Sequence, residues 1–203
     1  MKEKLIVALT GQSGAGKSSL AKFFVNSGIP VIDCDEIAKE IHKDVDCQIQ
    51  LCEFFGADIL VNGLIDKNLL SEKAFSSPQN LHKLTEITHP FIIKKILSDA
   101  DNLFSNGNNI VIVDGAVIIG HEFEKYCDKF IVVLCQRKYQ YERLIKRDGI
   151  SLQQAQNRVA KQTKLETMLS KADYPVYNND SIEYLENQGS YILQSLKAFK
   201  GGD

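Results

Sequence analysis

The chain has 203 residues, 44% hydrophobic and 25% charged, with a formal net charge of −2 at pH 7. A chain of that length buries roughly 70% of its unfolded surface, so it needs neither disulfides nor a structural metal to hold a core. The near-neutral balance excludes a bulk electrostatic case for nucleic acid or membrane binding, and no apolar run approaches the ~20 residues needed to cross a bilayer.

The first element is the run Leu5 to Leu9 (LIVAL). It reads as a strand rather than a secretory leader, because it runs straight into a glycine-rich motif. That motif, Gly11-Gln12-Ser13-Gly14-Ala15-Gly16-Lys17-Ser18, satisfies G-x-x-x-x-G-K-S/T, and a helical pattern from Ser18 to Val25 follows it. Glycines let the backbone fold around phosphate with N–H groups pointing inward, and the helix adds its positive N-terminal end. Lys17 is a mobile point charge suited to the β- and γ-phosphates, and Ser18 offers a hydroxyl to Mg²⁺. The nucleotide is therefore expected on Gly11, Ser13, Gly14, Ala15, Gly16, Lys17, Ser18 and Ser19.

A short strand at Val31 to Ile32 then ends on Asp33-Cys34-Asp35. Ligands of open α/β sheets gather at the carboxyl ends of strands, which puts Asp33 in reach of phosphate chemistry as a proton acceptor, with a role in holding the metal as a second reading. Asp35 directly precedes the helical pattern Glu36 to His42 and is expected to be its N-cap. Asn80 to Phe104 is a long helical pattern expected to break at His89-Pro90, since proline disfavours helix in the residue before it.

Two further strands follow, Ile110 to Val113 and Phe130 to Leu134, with a weaker one at Pro175 to Tyr177. None of the three longer runs alternates with polar residues, as befits a parallel sheet covered by helices on both faces. From residue 137 to 164 the chain carries eight Lys or Arg and two acids. Arg143 and Arg147 lie four apart, on one face of a helix, and Arg158 and Lys161 follow on the next; cations brought over a triphosphate stabilise the charge that spreads during phosphoryl transfer. The C-terminal segment places Ile182, Leu185, Ile192, Leu196 and Phe199 near one helical stripe, with Gly189 expected to weaken that helix by ~1 kcal/mol relative to Ala. The tail from Lys200 to Asp203 is expected to fray.

The five cysteines (Cys34, Cys47, Cys52, Cys127, Cys135) contain no C-x-x-C pair and read as thiols of a cytoplasmic protein. Cys47 and Cys52 with His42 form a conceivable metal set, but no second ligand pair follows at zinc spacing.

Together these residues resemble the dephospho-coenzyme A kinase family over nearly the whole chain. The resemblance rests on ALTGQSGAGKSS, on GIPVIDCDEIAKEI with Asp33 and Asp35, on GADILVNGLIDKNLL (with Lys67 where arginine is usual), and on Thr88-His89-Pro90. It extends through the lid residues Arg143 to Ser151 and Arg158 to Gln162, and through Lys171-Ala172-Asp173-Tyr174. It implies an α/β P-loop kinase: a five-stranded parallel sheet core flanked by helices (about 1–45, 106–136 and 173–203), an inserted helical acceptor-binding region (about 46–105) and a helical lid (about 137–172). It also implies MgATP as donor, dephospho-coenzyme A as acceptor, phosphorylation at the ribose 3′-hydroxyl, Asp33 as base, Arg143 as a lid cation at the transferred phosphate, and Arg147 beside it on the nucleotide. Neither nucleic acid nor membrane is expected as a partner. The chain departs from the family at Asp114 to Gly120, where D-V-P-L-L-F-E is usual, at Tyr177-Asn178-Asn179, and at Gln12-Ser13, where Gly-Ile is common.

Two other readings share the phosphate motif. One is a different small-molecule kinase of shikimate or nucleoside type, against which the helical region around 46–105 argues. The other is a non-catalytic ATP-binding regulatory protein. A guanine-specific switch would need N-K-x-D, which is absent.

Overall fold

The computed structural model describes residues 4–116, 118–160 and 162–199; Val117, Lys161 of the basic segment and the tail from Lys200 lie outside the described residues. In chain order the elements are β1 (Leu5–Gly11), α1 (Lys17–Asn26), β2 (Val31–Asp33), α2 (Cys34–Glu40), α3 (Val45–Phe55), β3 (Leu60–Val61), β4 (Leu64–Ile65), α4 (Lys67–Ala74) and α5 (Pro78–Ser105). They continue with β5 (Ile110–Asp114), β6 (Lys129–Leu134), α6 (Arg137–Asp148), α7 (Leu152–Ala160), α8 (Leu165–Leu169), β7 (Tyr174–Tyr177) and α9 (Ile182–Ala198).

All five strands expected from the sequence form one sheet, in the order β2-β5-β1-β6-β7. β1 is the central strand, running parallel to both β5 and β6, and β6 runs parallel to β7. Strand order reverses at β1, the place where an open parallel sheet leaves a crevice beyond its carboxyl ends. Val7, Leu9, Ile112, Ile131 and Val133 are wholly inaccessible. Each such side chain contributes roughly 1.5–3 kcal/mol of burial, which is why these runs need no polar alternation.

The chain divides into two units, one running up to Ile32 and resuming at Ala100, the other Asp33–Asp99. The first contains the sheet, with a core of Leu5, Leu9, Leu20, Phe24, Ile131, Leu185 and Leu196 among others. The second is a helical unit around Ile41, Cys47, Leu51, Phe55, Ile59, Leu70 and Ile87. α3 and α4 of this unit start on aspartates: Asp44 Oδ1 accepts from Cys47 N at 3.0 Å, and Asp66 Oδ1 from Asn68 N at 2.8 Å. Asn62 and Gly63, at φ 52° and 77°, make the tight turn of the hairpin β3–β4.

Two expectations are corrected. α5 is one helix of 28 residues that runs through Pro90 rather than breaking before it. Proline inside a helix costs ~3 kcal/mol. Ile87, Ile93, Ile96, Ala100 and Phe104 are all buried along that helix, and their combined burial exceeds the penalty several-fold.

The second correction concerns Gly189, whose absent side chain is required by packing. A Cβ there would stand 2.7 Å from the Phe23 ring and 3.0 Å from Leu20 Cδ1, where α1 crosses α9. Gly189→Ala is therefore expected to destabilise by about 1–3 kcal/mol through overpacking, instead of giving the ~1 kcal/mol gain that helix propensity alone predicts. Thermal unfolding followed by circular dichroism checks the sign.

Candidate functional site

β1 delivers Gly11 to the carboxyl edge of the sheet, the chain turns, and α1 starts at Lys17. The turn closes on itself through Ala15 N–H to Gln12 O at 3.0 Å. Gly16, the residue before α1, has φ +99°, which is costly for any residue with a side chain. No side chain caps α1. An uncapped helix end with its loop folded over it presents backbone donors and the positive end of the helix dipole, the requirements of a polyphosphate site.

Lys17 Nζ forms an ion pair with Asp114 Oδ1, both side chains being largely buried (18% and 10% exposed). Asp114 reaches it because β5 pairs with β1 in a register that sets Asp114 beside Leu9, and Gly115 N–H bonds Leu9 O at 3.1 Å. The ammonium thus rests against a carboxylate at the mouth of the cradle, and an arriving polyphosphate competes for it. Ser18 is exposed and Ser19 half-buried on the first turn of α1.

α6 and the segment after α7 dock on the glycine-rich turn through side chains. Gln140 of α6 is fully buried, and its Nε2 donates to Gln12 Oε1 at 2.8 Å. Gln162 Oε1 accepts from Ser13 N–H at 3.2 Å. Arg143 reaches the outer face of the loop: Nη1 lies 3.4 Å from Gly14 O and 3.3 Å from Ala15 O, and Nη2 lies 3.1 Å from Asn178 O. Its guanidinium also sits 5.9 Å from the Tyr139 ring centroid, a cation–π contact that helps fix it. Cys135, the residue after β6, faces Gly14 O with its Sγ at 3.8 Å.

Arg147 is placed differently. It pairs bidentately with Asp148, Nε to Oδ1 at 2.7 Å and Nη2 to Oδ2 at 2.9 Å, and Arg158 Nη1 approaches the same carboxylate at 2.8 Å. The hydrogen bond from Arg147, then the charges of both arginines, hold the Asp148 carboxyl below the usual carboxylate range. Arg143 is therefore at the cradle, while Arg147 is engaged within the lid, at the junction where Gly149 ends α6.

Asp33 belongs to the second unit and is described by its local bonds. Its Oδ1 accepts from Asp35 N at 2.8 Å and Glu36 N at 3.2 Å, so Asp33, not Asp35, is the N-cap of α2. The expectation placed the helix start at Glu36. The helix begins at Cys34, directly after the strand, which moves the cap back by two residues and leaves Asp35 in the first turn.

Among the described residues no group of three or more His, Cys, Asp or Glu is arranged to hold a metal ion. Cys47 points into the apolar core of its unit, where burial, then the nearby Asp44 charge, pushes its thiol up to about 11.

Four residues that sequence reasoning did not assign to the site contact it: Asp114, Gln140, Gln162 and Asn178. Asp114 carried a usable signal, an acid ending a buried strand like Asp33. The three amides carried none, because their partners lie 128 to 163 residues away.

Comparison with known proteins agrees with this geometry. The family model described as Dephospho-CoA kinase matches residues 5–184. The chain is 33% identical over 184 residues to the dephospho-CoA kinase of Fusobacterium nucleatum, covering 89% of this chain and 93% of that protein. It is 31% identical over 194 residues to the dephospho-CoA kinase of Arabidopsis thaliana, covering 95% and 84%. The crystal structure of TT1252 from Thermus thermophilus shares the fold with a TM-score of 0.79 at 23% identity, over 96% of this chain and 99% of that one.

Gly16→Ala adds a methyl where Asn178 Nδ2 stands and demands an unfavourable φ. The strain amounts to about 1–3 kcal/mol. Thermal unfolding is expected to show that loss, and MgADP is expected to raise the melting temperature of the variant less than that of the native chain.

Proposed function

The chain belongs to the dephospho-CoA kinase family, and on that premise we propose how its own residues carry the phosphorylation of dephospho-coenzyme A by ATP, the last step of coenzyme A biosynthesis. The observation that carries the reading is the glycine-rich turn over the uncapped end of α1, with Lys17 poised at its mouth on a competing carboxylate. The γ-phosphate moves to the 3′-hydroxyl of the acceptor ribose; the oxygen–phosphorus bond to ADP breaks as the new one forms.

Backbone N–H groups of the turn, with Lys17, bind the β- and γ-phosphates and stabilise the charge that develops in transfer. Gly11, Ser13, Gly14, Ala15, Gly16, Ser18 and Ser19 complete the nucleotide cradle. Asp33 orients the acceptor hydroxyl and takes its proton. Arg143 and Arg147 supply lid charge, Arg143 acting on the transferred phosphate from its place on the loop carbonyls, Arg147 after exchanging Asp148 for the nucleotide. The helical segment 46–105 holds the coenzyme A portion of the acceptor, and the segment 137–172 serves as lid.

Magnesium suits the donors present, which are hard oxygens: the Ser18 hydroxyl and the Asp114 carboxylate at the cradle, with Asp33 as a further carboxylate. When bound, Mg²⁺ would neutralise phosphate charge. None of the described helices is long and apolar enough to cross a membrane. The family match gives no support to the shikimate-type or non-catalytic readings.

The test is a coupled ADP-release assay with MgATP and either dephospho-coenzyme A, shikimate, a nucleoside or no acceptor. Turnover with dephospho-coenzyme A alone is expected; equal turnover with another acceptor would overturn the reading. Lys17→Ala is expected to lower kcat about 10²–10³-fold, and near-native turnover would remove the lysine from the chemistry. Asp33→Asn should lower kcat about 10²–10⁴-fold while MgATP affinity stays within a few-fold; an unchanged kcat would leave Asp33 with its capping role alone. Chelation by EDTA should stop turnover, and added MgCl₂ should restore it.

A further inference from the structure

Asn178, the residue after β7, is buried, and each of its four polar groups is engaged. Its N–H donates to Leu134 O at 2.8 Å, extending the β6–β7 pairing by one residue. Its carbonyl and its Oδ1 accept from Arg143 Nη2 at 3.1 and 3.4 Å. Its Nδ2 donates to Ala15 O at 2.7 Å. Ala15 O also lies 3.3 Å from Arg143 Nη1, which is 3.4 Å from Gly14 O.

These bonds fall on carbonyls of the cradle, whose N–H groups are the ones phosphate needs. In a trans peptide unit the C=O and the following N–H point in opposite directions. A bond that holds Ala15 C=O outward therefore aims Gly16 N–H inward, while the held Gly14 C=O fixes the peptide unit whose Ala15 N–H closes the turn on Gln12 O. A hydrogen-bonded carbonyl also polarises its own peptide unit, making the N–H a better donor. Gly16 permits the arrangement, since a Cβ there would occupy the position of Asn178 Nδ2.

We propose that Asn178 is a positioning residue for the phosphate cradle: with Arg143 it clamps the outward carbonyls of Gly14 and Ala15, and so presets the donors that receive the triphosphate. Asn178 does not touch the reacting atoms. It acts through the loop, on the nucleotide half of the reaction. The proposal rests on the cradle reading above, and the two fail differently. If the cradle itself is wrong, Lys17→Ala keeps native turnover. If only the clamp is wrong, Lys17→Ala is crippled and Asn178 variants are not.

The experiment measures MgADP dissociation constants and steady-state kinetics for Asn178→Ala, Arg143→Ala and the double variant. Asn178→Ala should weaken MgADP and kcat/KM for MgATP by about 10- to 100-fold, the range typical of residues that orient ligand-binding groups. KM for dephospho-coenzyme A should stay within about two-fold, a split that general loosening of the fold would not produce. Because both residues hold the same carbonyl, the combined loss should fall well short of the product of the single losses. Equal weakening toward both substrates, or losses that multiply in full, would overturn the proposal.

Asn178→Asp is the second variant should the alanine variant fail to fold. It keeps the shape and the acceptors for Arg143 but cannot donate to Ala15 O; native MgADP affinity in it would overturn the proposal. In the native chain, the Asn178 side-chain amide protons should exchange slowly and shift together with the Ala15 and Gly16 amides on titration with MgADP. Fast exchange with no such shift would contradict the clamp without recourse to any variant.

Discussion

A triphosphate carries several negative charges into a site no wider than the turn that receives it, and water already solvates those charges well. A protein competes only if its donors point at the phosphate before it arrives, so that none of the binding energy is spent on turning them. Backbone N–H groups meet that demand when each peptide unit is held from its other end. In this chain the carbonyls of Gly14 and Ala15 are held by Arg143 and Asn178, and the first turn of α1 follows without a side-chain cap. The sheet exists, in functional terms, to bring those pieces together. β1 ends at the turn, β5 beside it ends at Asp114, and β6 and β7 on the other flank lead into α6 and Asn178.

The lysine follows the same logic from the side-chain end. A long, flexible ammonium with no partner would sample many rotamers, and ordering it on the nucleotide would cost up to ~2 kcal/mol. Its ion pair with Asp114 fixes it near the mouth of the cradle in advance. Asp148 likewise gathers both Arg147 and Arg158. Lysine and arginine charges of this chain are thus held on its own carboxylates.

Much of the fold was legible because the deciding signals are local. An apolar run without alternation marks a strand covered on both faces, and all three such runs became strands of one sheet, joined there by the two shorter candidates. The glycine-rich motif was legible for the same reason: turn, lysine, hydroxyl and helix lie within the sixteen consecutive residues Gly11 to Asn26. Where local rules failed, a non-local term outweighed them. Pro90 sits inside α5 because the apolar side chains of that helix bury enough area to exceed the penalty. Gly189 is where α9 meets Phe23, so propensity gives the wrong sign for its replacement. Asp33 took the cap from Asp35 since the helix follows the strand with no intervening residue. The Asn62-Gly63 hairpin was a missed local signal, a dipeptide that favours a tight turn outright.

The site divides along the same line. The glycine-rich turn was readable because its residues are contiguous, whereas Asp33 stands in the structure as the cap of α2. Asp114, Gln140, Gln162 and Asn178 were not assigned, because what makes each matter is a partner far along the chain. The departure at Gln12 gains a physical meaning: its side chain pairs with Gln140 of α6, a bond that glycine at that position cannot make.

The most direct measurement is a crystal structure of the full chain with Mg²⁺, a non-hydrolysable ATP analogue and dephospho-coenzyme A. The account requires the β-phosphate oxygens to lie within hydrogen-bonding distance of the Gly16 and Lys17 amides, Lys17 Nζ to have left Asp114 for the phosphates, and the Ala15 carbonyl still to be held by Asn178. A polyphosphate bound away from that turn, or a lysine unmoved from its carboxylate with nucleotide present, would contradict it.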